Sequence, residues 1–176
     1  YDTKVLRKVI ALRKREADIA IRHARPEQPD LIGKLIGETD ARLFASKGFL
    51  DEFGRPEHPS ELARYPFVGF GENERALPYF KEMGVEIGVD SFKISANNGQ
   101  PIIALARAGL GITPVGLDVA SHYPDLEEIL PGQLGAIPIP LWLVTHRELH
   151  TSRRIRIVFD LLARELRKIQ DRSNAA

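Results

Sequence analysis

The sequence predicts an α/β fold in which a mostly parallel sheet carries helices on both faces. Three observations carry that expectation. Short β-rich segments alternate with segments of helical apolar spacing along the chain, and parallel strands need such crossover connections. The clearest strand, Leu141-Trp142-Leu143-Val144, is followed by the clearest helix, about Ser152 to Ile169, whose Ile155, Val158, Phe159, Leu162, Leu166 and Ile169 share one stripe. The balance of 43% hydrophobic to 28% charged residues over 176 positions is that of a globular chain, enough for one compact domain or two small lobes sharing a hinge.

Val5, Leu6, Val9, Ile10 and Leu12 recur at helical spacing, so residues 4 to 15 read as an amphipathic helix. It runs into a strand at Ala17 to Arg22, bounded by the two-proline loop from His23 to Asp30. Leu31 to Ile36 and Asp40 to Ala45 are two further extended pieces. Ser46 is placed to N-cap a short helix through Phe53, Gly54 to close it in a left-handed conformation, and Pro56 and Pro59 to stop it. Ser60 to Tyr65 makes one helical turn, and Pro66 to Phe70 is a buried strand ending at Gly71. Ala76 to Met83 is a helical unit closed by Gly84. Val85 to Val89 and Phe92 to Ala96 read as strands, and Pro101 to Ala108 as a helix with proline in its first turn and Gly109 at its end. Gly111 to Val115 is a short strand. A helical stretch from Leu117 to Tyr123, an apolar segment from Leu126 to Leu130 and a Pro/Gly-rich loop at 131 to 140 lead to the final strand and helix.

Composition removes several function classes. There is no cysteine, which excludes disulfides, thiolate catalysis and cysteine-held zinc or iron–sulfur centres. The longest apolar stretch, Ile137 to Val144, is broken by Pro138 and Pro140 and falls far short of the roughly 20 residues that span a bilayer. Tyr1-Asp2-Thr3-Lys4 does not resemble a signal peptide, so a soluble, cytoplasmic chain is expected. With a formal net charge of +1 the chain has no general electrostatic pull towards nucleic acid or anionic membrane. The basic residues at both ends, which lack interleaved aromatics, read as solvated faces of amphipathic helices.

No catalytic or metal-binding residues are expected. The glycines at 109, 111 and 116 follow a helix and open a strand, the reverse of a dinucleotide-binding turn, and read as a helix cap plus close packing. His146 and His150 are four apart, but His146 ends a strand and no carboxylate holds the zincin position, so both read as exposed loop histidines. Ser152 lacks the glycine frame of a nucleophile elbow. Asp51-Glu52 and Glu127-Glu128 are adjacent rather than convergent carboxylates and read as surface charge. More informative are Phe70-Gly71-Glu72-Asn73 and Ser95-Ala96-Asn97-Asn98-Gly99-Gln100, where small and amide residues at strand ends either offer hydrogen bonds to a small polar ligand or make ordinary turns. Open α/β sheets bind ligands beyond the carboxyl ends of their strands, which draws attention to the loops after Arg22, Phe70, Ala96 and Val115.

Several segments together resemble the C-terminal effector-binding domain of LysR-type transcriptional regulators. They are Arg15-Glu-Ala-Asp-Ile-Ala-Ile-Arg22, Leu35 to Ser46 followed by Phe49-Leu50, Gly54-Arg-Pro with Pro59-Ser-Glu-Leu-Ala and Tyr65-Pro, Ala104 to Ile112, and Leu141-Trp-Leu-Val144 followed by Ser152 to Leu162. Their order and spacing cover residues 11 to 166.

The resemblance implies a two-lobed, periplasmic-binding-protein-like (type II) fold, each lobe a mixed sheet flanked by helices. The first lobe would be 1 to 41 with 147 to 176 and the second 42 to 140, with crossing strands at about 40 to 46 and 141 to 146. It further implies a small-molecule effector, with carboxylates among the candidates, held between the lobes by Arg22, His23, Phe70, Gly71, Glu72, Asn97, Asn98 and Thr113. Arg22 is the residue suited to an anion, because a guanidinium offers a carboxylate two parallel donors. No cofactor is implied. Dimers or tetramers through the effector domain are, with Pro101 to Ala108 as a candidate contact, and DNA is reached only through a helix-turn-helix that this sequence lacks. Two departures stand out: about 30 residues of a first βαβ unit are missing ahead of Ala17, and Gly116 stands where the family has proline. The competing readings are a free-standing solute-binding protein of the same fold and a small α/β hydrolase.

Overall fold

A computed structural model describes residues 17–23, 25–71 and 73–173. The amphipathic segment 4 to 15 and Glu72 lie outside the described residues. The chain divides into two compact units, residues 1–39 with 139–176 and residues 40–138.

In the first unit, strand β1 (Ile19–Arg22) pairs antiparallel with β7 (Ile137–His146), Ile19 opposite Thr145 and Arg22 opposite Trp142. β7 adjoins β2 (Leu31–Ser46) in the same sheet. The two extended pieces expected at 31–36 and 40–45 are therefore one uninterrupted strand, because Gly37, Glu38 and Thr39 supply no turn and keep the ladder going. The long helix α6 (Arg153–Ser173) lays Phe159 and Ala163 on Ile36 and Leu143, with Ile19, Leu141, Leu162 and Leu166 around them. These positions recur at three and four residues along α6, the spacing that puts side chains on one face.

His146 and His150 are not exposed loop residues. His146 closes β7 and N-caps the short helix α5 (Arg147–His150): its Nδ1 accepts the Glu148 amide at 3.3 Å and its Nε2 lies 3.1 Å from Asp30 Oδ2. One nitrogen accepting leaves the other as the N–H donor to the carboxylate, an assignment made from the network. The His150 ring meets Phe159 edge to face at 5.5 Å. Both histidines help hold the strand-to-helix joint.

The second unit contains the remaining elements. β2 carries β5 (Thr113–Gly116) antiparallel, Ala41 opposite Gly116 and Phe44 opposite Thr113, and also β6 (Leu126–Glu128), Ser46 opposite Leu126. A separate parallel pair joins β3 (Phe67–Phe70) to β4 (Phe92–Ala96), and Phe67 also bridges Ile112 in parallel. The expectation of a mostly parallel sheet is corrected here. The β1–β7, β2–β5 and β2–β6 pairings of the larger sheet are antiparallel, and the parallel pairing falls to β3 and β4 in the smaller one.

α1 (Lys47–Phe53) starts as expected at Ser46, whose Oγ accepts the Phe49 amide at 3.3 Å, and ends at Gly54 with φ 87°. A 3-10 turn spans Pro59–Arg64. α2 (Leu77–Glu82) buries Phe80, which forms an aromatic trio with Phe67 and Phe92 at centroid separations of 5.3 to 6.0 Å. The strand expected at Val85 to Val89 is not one: Val85 is buried with its amide on the Phe80 carbonyl, and the chain then runs irregularly into a 3-10 turn at Val89–Ser91. α3 (Gly99–Arg107) buries Ile102, Ile103 and Ala106 and is followed by the short α4 (Leu117–Ala120). Phe44, Ile103, Ala106, Val115 and Leu126 form one core cluster of this unit.

The glycines after α3 act by packing. Gly111 has φ 148°, and a Cβ there would stand 2.6 Å from the Pro66 carbonyl oxygen, so only glycine lets the two segments touch. No helix among the described residues is long and apolar enough to cross a membrane.

Candidate functional site

The parallel pairing of β3 and β4 brings two sequence-distant polar segments together at the carboxyl ends of both strands. Phe70 stands opposite Ala96, and the Gly71 amide donates to the Ala96 carbonyl at 3.0 Å. Gly71, with φ 61°, turns the chain beside Asn97, whose Oδ1 lies 3.6 Å from where a glycine Cβ would stand. Asn98 caps α3 by accepting the Gln100 amide at 3.3 Å. Phe70, Gly71, Asn97 and Asn98 are thus gathered on one rim. The Phe70 ring is 54% exposed, unusual for an aromatic at the end of a buried strand and suited to stacking on a ligand.

Two members of that rim were noticed in the sequence as neighbours of the site but not assigned to it. Asn73 Nδ2 donates to Ser95 Oγ at 2.9 Å, across the strand ends. Its carbonyl oxygen is shielded from solvent with no partner among the described residues. A buried acceptor without a donor is costly, so a group that donates there would be welcomed. Gly69 makes the arrangement possible, since a Cβ on it would collide with Asn73 Oδ1 and lie 2.6 Å from Ser95 Oγ. The signal in the sequence was the alternation of small and amide residues; the pairing itself needs the β3–β4 register.

Thr113 is placed differently. It is fully buried, and its hydroxyl donates to the Val68 carbonyl at 3.0 Å. Its hydroxyl is spent on fastening β5 to β3 behind the rim.

In the first unit, Arg22 ends β1 half-buried and His23 follows it exposed. Arg25, which the sequence did not single out, lies over Trp142 with its guanidinium carbon 6.0 Å from the ring centroid. Trp142 is the register partner of Arg22 on β7, so the end of β1 collects two guanidiniums and an indole.

The adjacent carboxylates are paired rather than simply solvated. Glu128 accepts Arg42 Nη1 at 3.0 Å, and Arg55 bridges Glu127 and Asp51 at 3.2 and 2.9 Å. Its hydrogen bond to Glu127, then that to Asp51, holds the Arg55 guanidinium above its ordinary pKa. Among the described residues no cluster of histidine and carboxylate groups could hold a metal ion.

A family model described as the LysR substrate binding domain matches residues 6–167. The chain belongs to this LysR family. Its fold is accordingly the type II periplasmic-binding-protein-like α/β fold of LysR substrate-binding domains. The chain is similar to an uncharacterized HTH-type transcriptional regulator of Haemophilus influenzae, 30% identical over 122 residues, 65% of this chain and 41% of that protein. It is also similar to the HTH-type transcriptional regulator DmlR of Escherichia coli, 26% identical over 154 residues, 82% of this chain and 48% of the relative. The chain therefore spans about half the length of the curated relatives it matches. Among solved structures, the regulatory domain of CrgA from Neisseria meningitidis superposes with a TM-score of 0.72 at 23% identity, covering 90% of this chain and 79% of that one. That likeness carries the fold. The family is one of transcription regulators.

Proposed function

We propose that this chain binds a small-molecule effector at its strand-end rim and passes the occupancy to DNA-bound partners within a longer LysR-family regulator. The observation that carries the reading is the polar rim of the second unit: Asn73, Ser95, Asn97 and Asn98 converge beside an exposed Phe70 at the ends of the parallel β3–β4 pair. Amides and a hydroxyl fix orientation through hydrogen bonds, and an exposed ring supplies apolar contact, the division of labour usual in small-molecule sites. Arg22 and His23, at the end of β1, are the residues of the first unit that the LysR resemblance offers, with Arg22 suited to an acidic group and Arg25 nearby. Glu72, next to Gly71 in the sequence, is kept with this set, and Thr113 supports the rim from behind.

An effector acts on such a molecule only through its difference in affinity for two arrangements of the regulator. Homo-oligomers supply those arrangements, and α3 is the candidate contact. Its Ile102, Ile103 and Ala106 are buried within its own unit, so the pairing face would be the exposed Pro101, Ala104 and Ala108 together with Leu110. Light scattering coupled to gel filtration should show a dimer or tetramer; a strict monomer at high concentration ends that part of the reading.

The direct test is a thermal-shift screen of aromatic acids, amino acids and aliphatic carboxylates. A ligand at 100 times its Kd stabilises the fold by about 2.7 kcal/mol. Arg22→Ala should weaken any carboxylate so found by about tenfold or more, and Asn97→Ala should weaken it independently. Unchanged affinity in both variants removes the strand-end rim as the effector site.

A further inference from the structure

We propose that the first unit carries a second ligand site, on the α6 side of β2, for a small phosphate-bearing anion. A cavity of about 340 Å³ lies there, lined by Lys34, Asp160, Ala163, Arg164, Arg167 and Lys168. None of the residues assigned to the effector lines it.

Strand and helix geometry explain why these side chains meet. Lys34 stands two positions before Ile36, so alternation along β2 sends both to one face, and Ile36 is buried against Phe159 and Ala163 of α6. On the helix, Asp160, Ala163 and Arg167 form one row at spacings of three and four, and Asp160, Arg164 and Lys168 a second at spacings of four, so the two rows lie side by side on one face. Ala163, 4% exposed, is the small residue between the long cationic ones and leaves room for a ligand. Arg167 Nε donates to the Ile36 carbonyl at 3.4 Å. That bond tethers the guanidinium at the cavity and leaves its terminal nitrogens for another acceptor.

The charge count decides the ligand class. Among the described residues four cations line the cavity, against Asp160 within it and Glu165 beside it, an excess of two positive charges. Glu165 is shared between Lys168 and Arg164, at 3.1 Å each, which positions both cations without neutralising them all. Like charges gathered in a concave surface repel, and a dianion relieves them. A phosphoryl group carries up to two charges near neutral pH and several strong acceptor oxygens, matching guanidinium forks and an ammonium. The volume is at the lower end of small-molecule sites, about 300–1,000 Å³; a nucleic-acid backbone would want an extended face instead.

Isothermal titration of the full chain with pyrophosphate, at low and fixed ionic strength, tests the site. One-to-one saturable binding is expected, weakened about tenfold by Lys34→Gln or by Arg167→Gln and lost in the double variant. Arg156→Gln, on α6 but outside the cavity, should bind as the parent does, and so should Arg22→Ala. Circular dichroism and melting temperature report whether each variant is folded; if Arg167→Gln is not, Arg167→Lys, which keeps the charge but loses the fork, takes its place. No saturable binding, or equal weakening in Arg156→Gln, overturns the site in favour of diffuse surface charge. Loss of binding in Arg22→Ala overturns its separateness from the effector rim. Displacement of pyrophosphate by a short DNA duplex that binds more tightly overturns the small-ligand assignment.

Discussion

At the scale of single residues, the protein depends on backbone positions that tolerate no side chain and on acids held by named cations. Gly111→Ala would place a methyl 2.6 Å from the Pro66 carbonyl at a φ of 148°. Backbone cannot yield as a flexible side chain does, so a loss of more than about 2 kcal/mol in urea unfolding is expected. Ser46→Ala, which removes the oxygen that accepts the Phe49 amide, should cost about 1 kcal/mol in the same assay. Asp125 is held below its ordinary pKa chiefly by the Arg107 hydrogen bond at 2.6 Å, and Glu165 by Lys168 first and Arg164 second. A carboxyl whose folded pKa is depressed contributes stability above its unfolded value, and that contribution is lost as pH falls through the folded one. Both groups are exposed and screened, so the effect is small and confined to acid. Carboxyl NMR titration should show the Asp125 midpoint moving up in Arg107→Gln; an unmoved midpoint would mean another group holds it.

At the scale of elements, α6 is the helix that closes the first unit. Phe159 is 3% exposed and sits at the centre of the cluster with Ile36, Leu143 and Ala163. Phe159→Ala leaves a cavity among residues fixed by the β1–β7–β2 sheet, and a loss of about 3–5 kcal/mol is expected. Much of this was legible in the sequence, because the stripe Ile155, Phe159, Leu162, Leu166 repeats at the helical period. The same stripe misjudged Val158 and Ile169, which are 45% and 57% exposed: the buried arc is narrower than the apolar one. Strands were read less well. β2 looked like two pieces because glycine and charged residues interrupt its apolar pattern, and Val85 to Val89 looked like a strand because a capped helix end can be as apolar as one.

At the scale of the whole molecule, the two units have separate hydrophobic clusters. Stability can then be lost locally, in contiguous units, rather than everywhere at once. In Phe159→Ala, hydrogen exchange should accelerate first in residues 139–170, while the β3 amides at 67–70 keep their protection. Uniform acceleration would show that the units unfold as one.

The sequence by itself determined the alternation of elements, the caps of α1, the LysR resemblance and the strand-end segments worth watching, because each is set by neighbours within a few positions. Only the tertiary structure decided which strands pair and in which direction, that Asn73 meets Ser95, that the Thr113 hydroxyl meets the Val68 carbonyl, that His146 meets Asp30, and that Lys34 shares a cavity with α6. Those contacts join residues 22 to more than 120 positions apart, and nothing in local spacing records which distant partner a hydrogen bond or a charge will find.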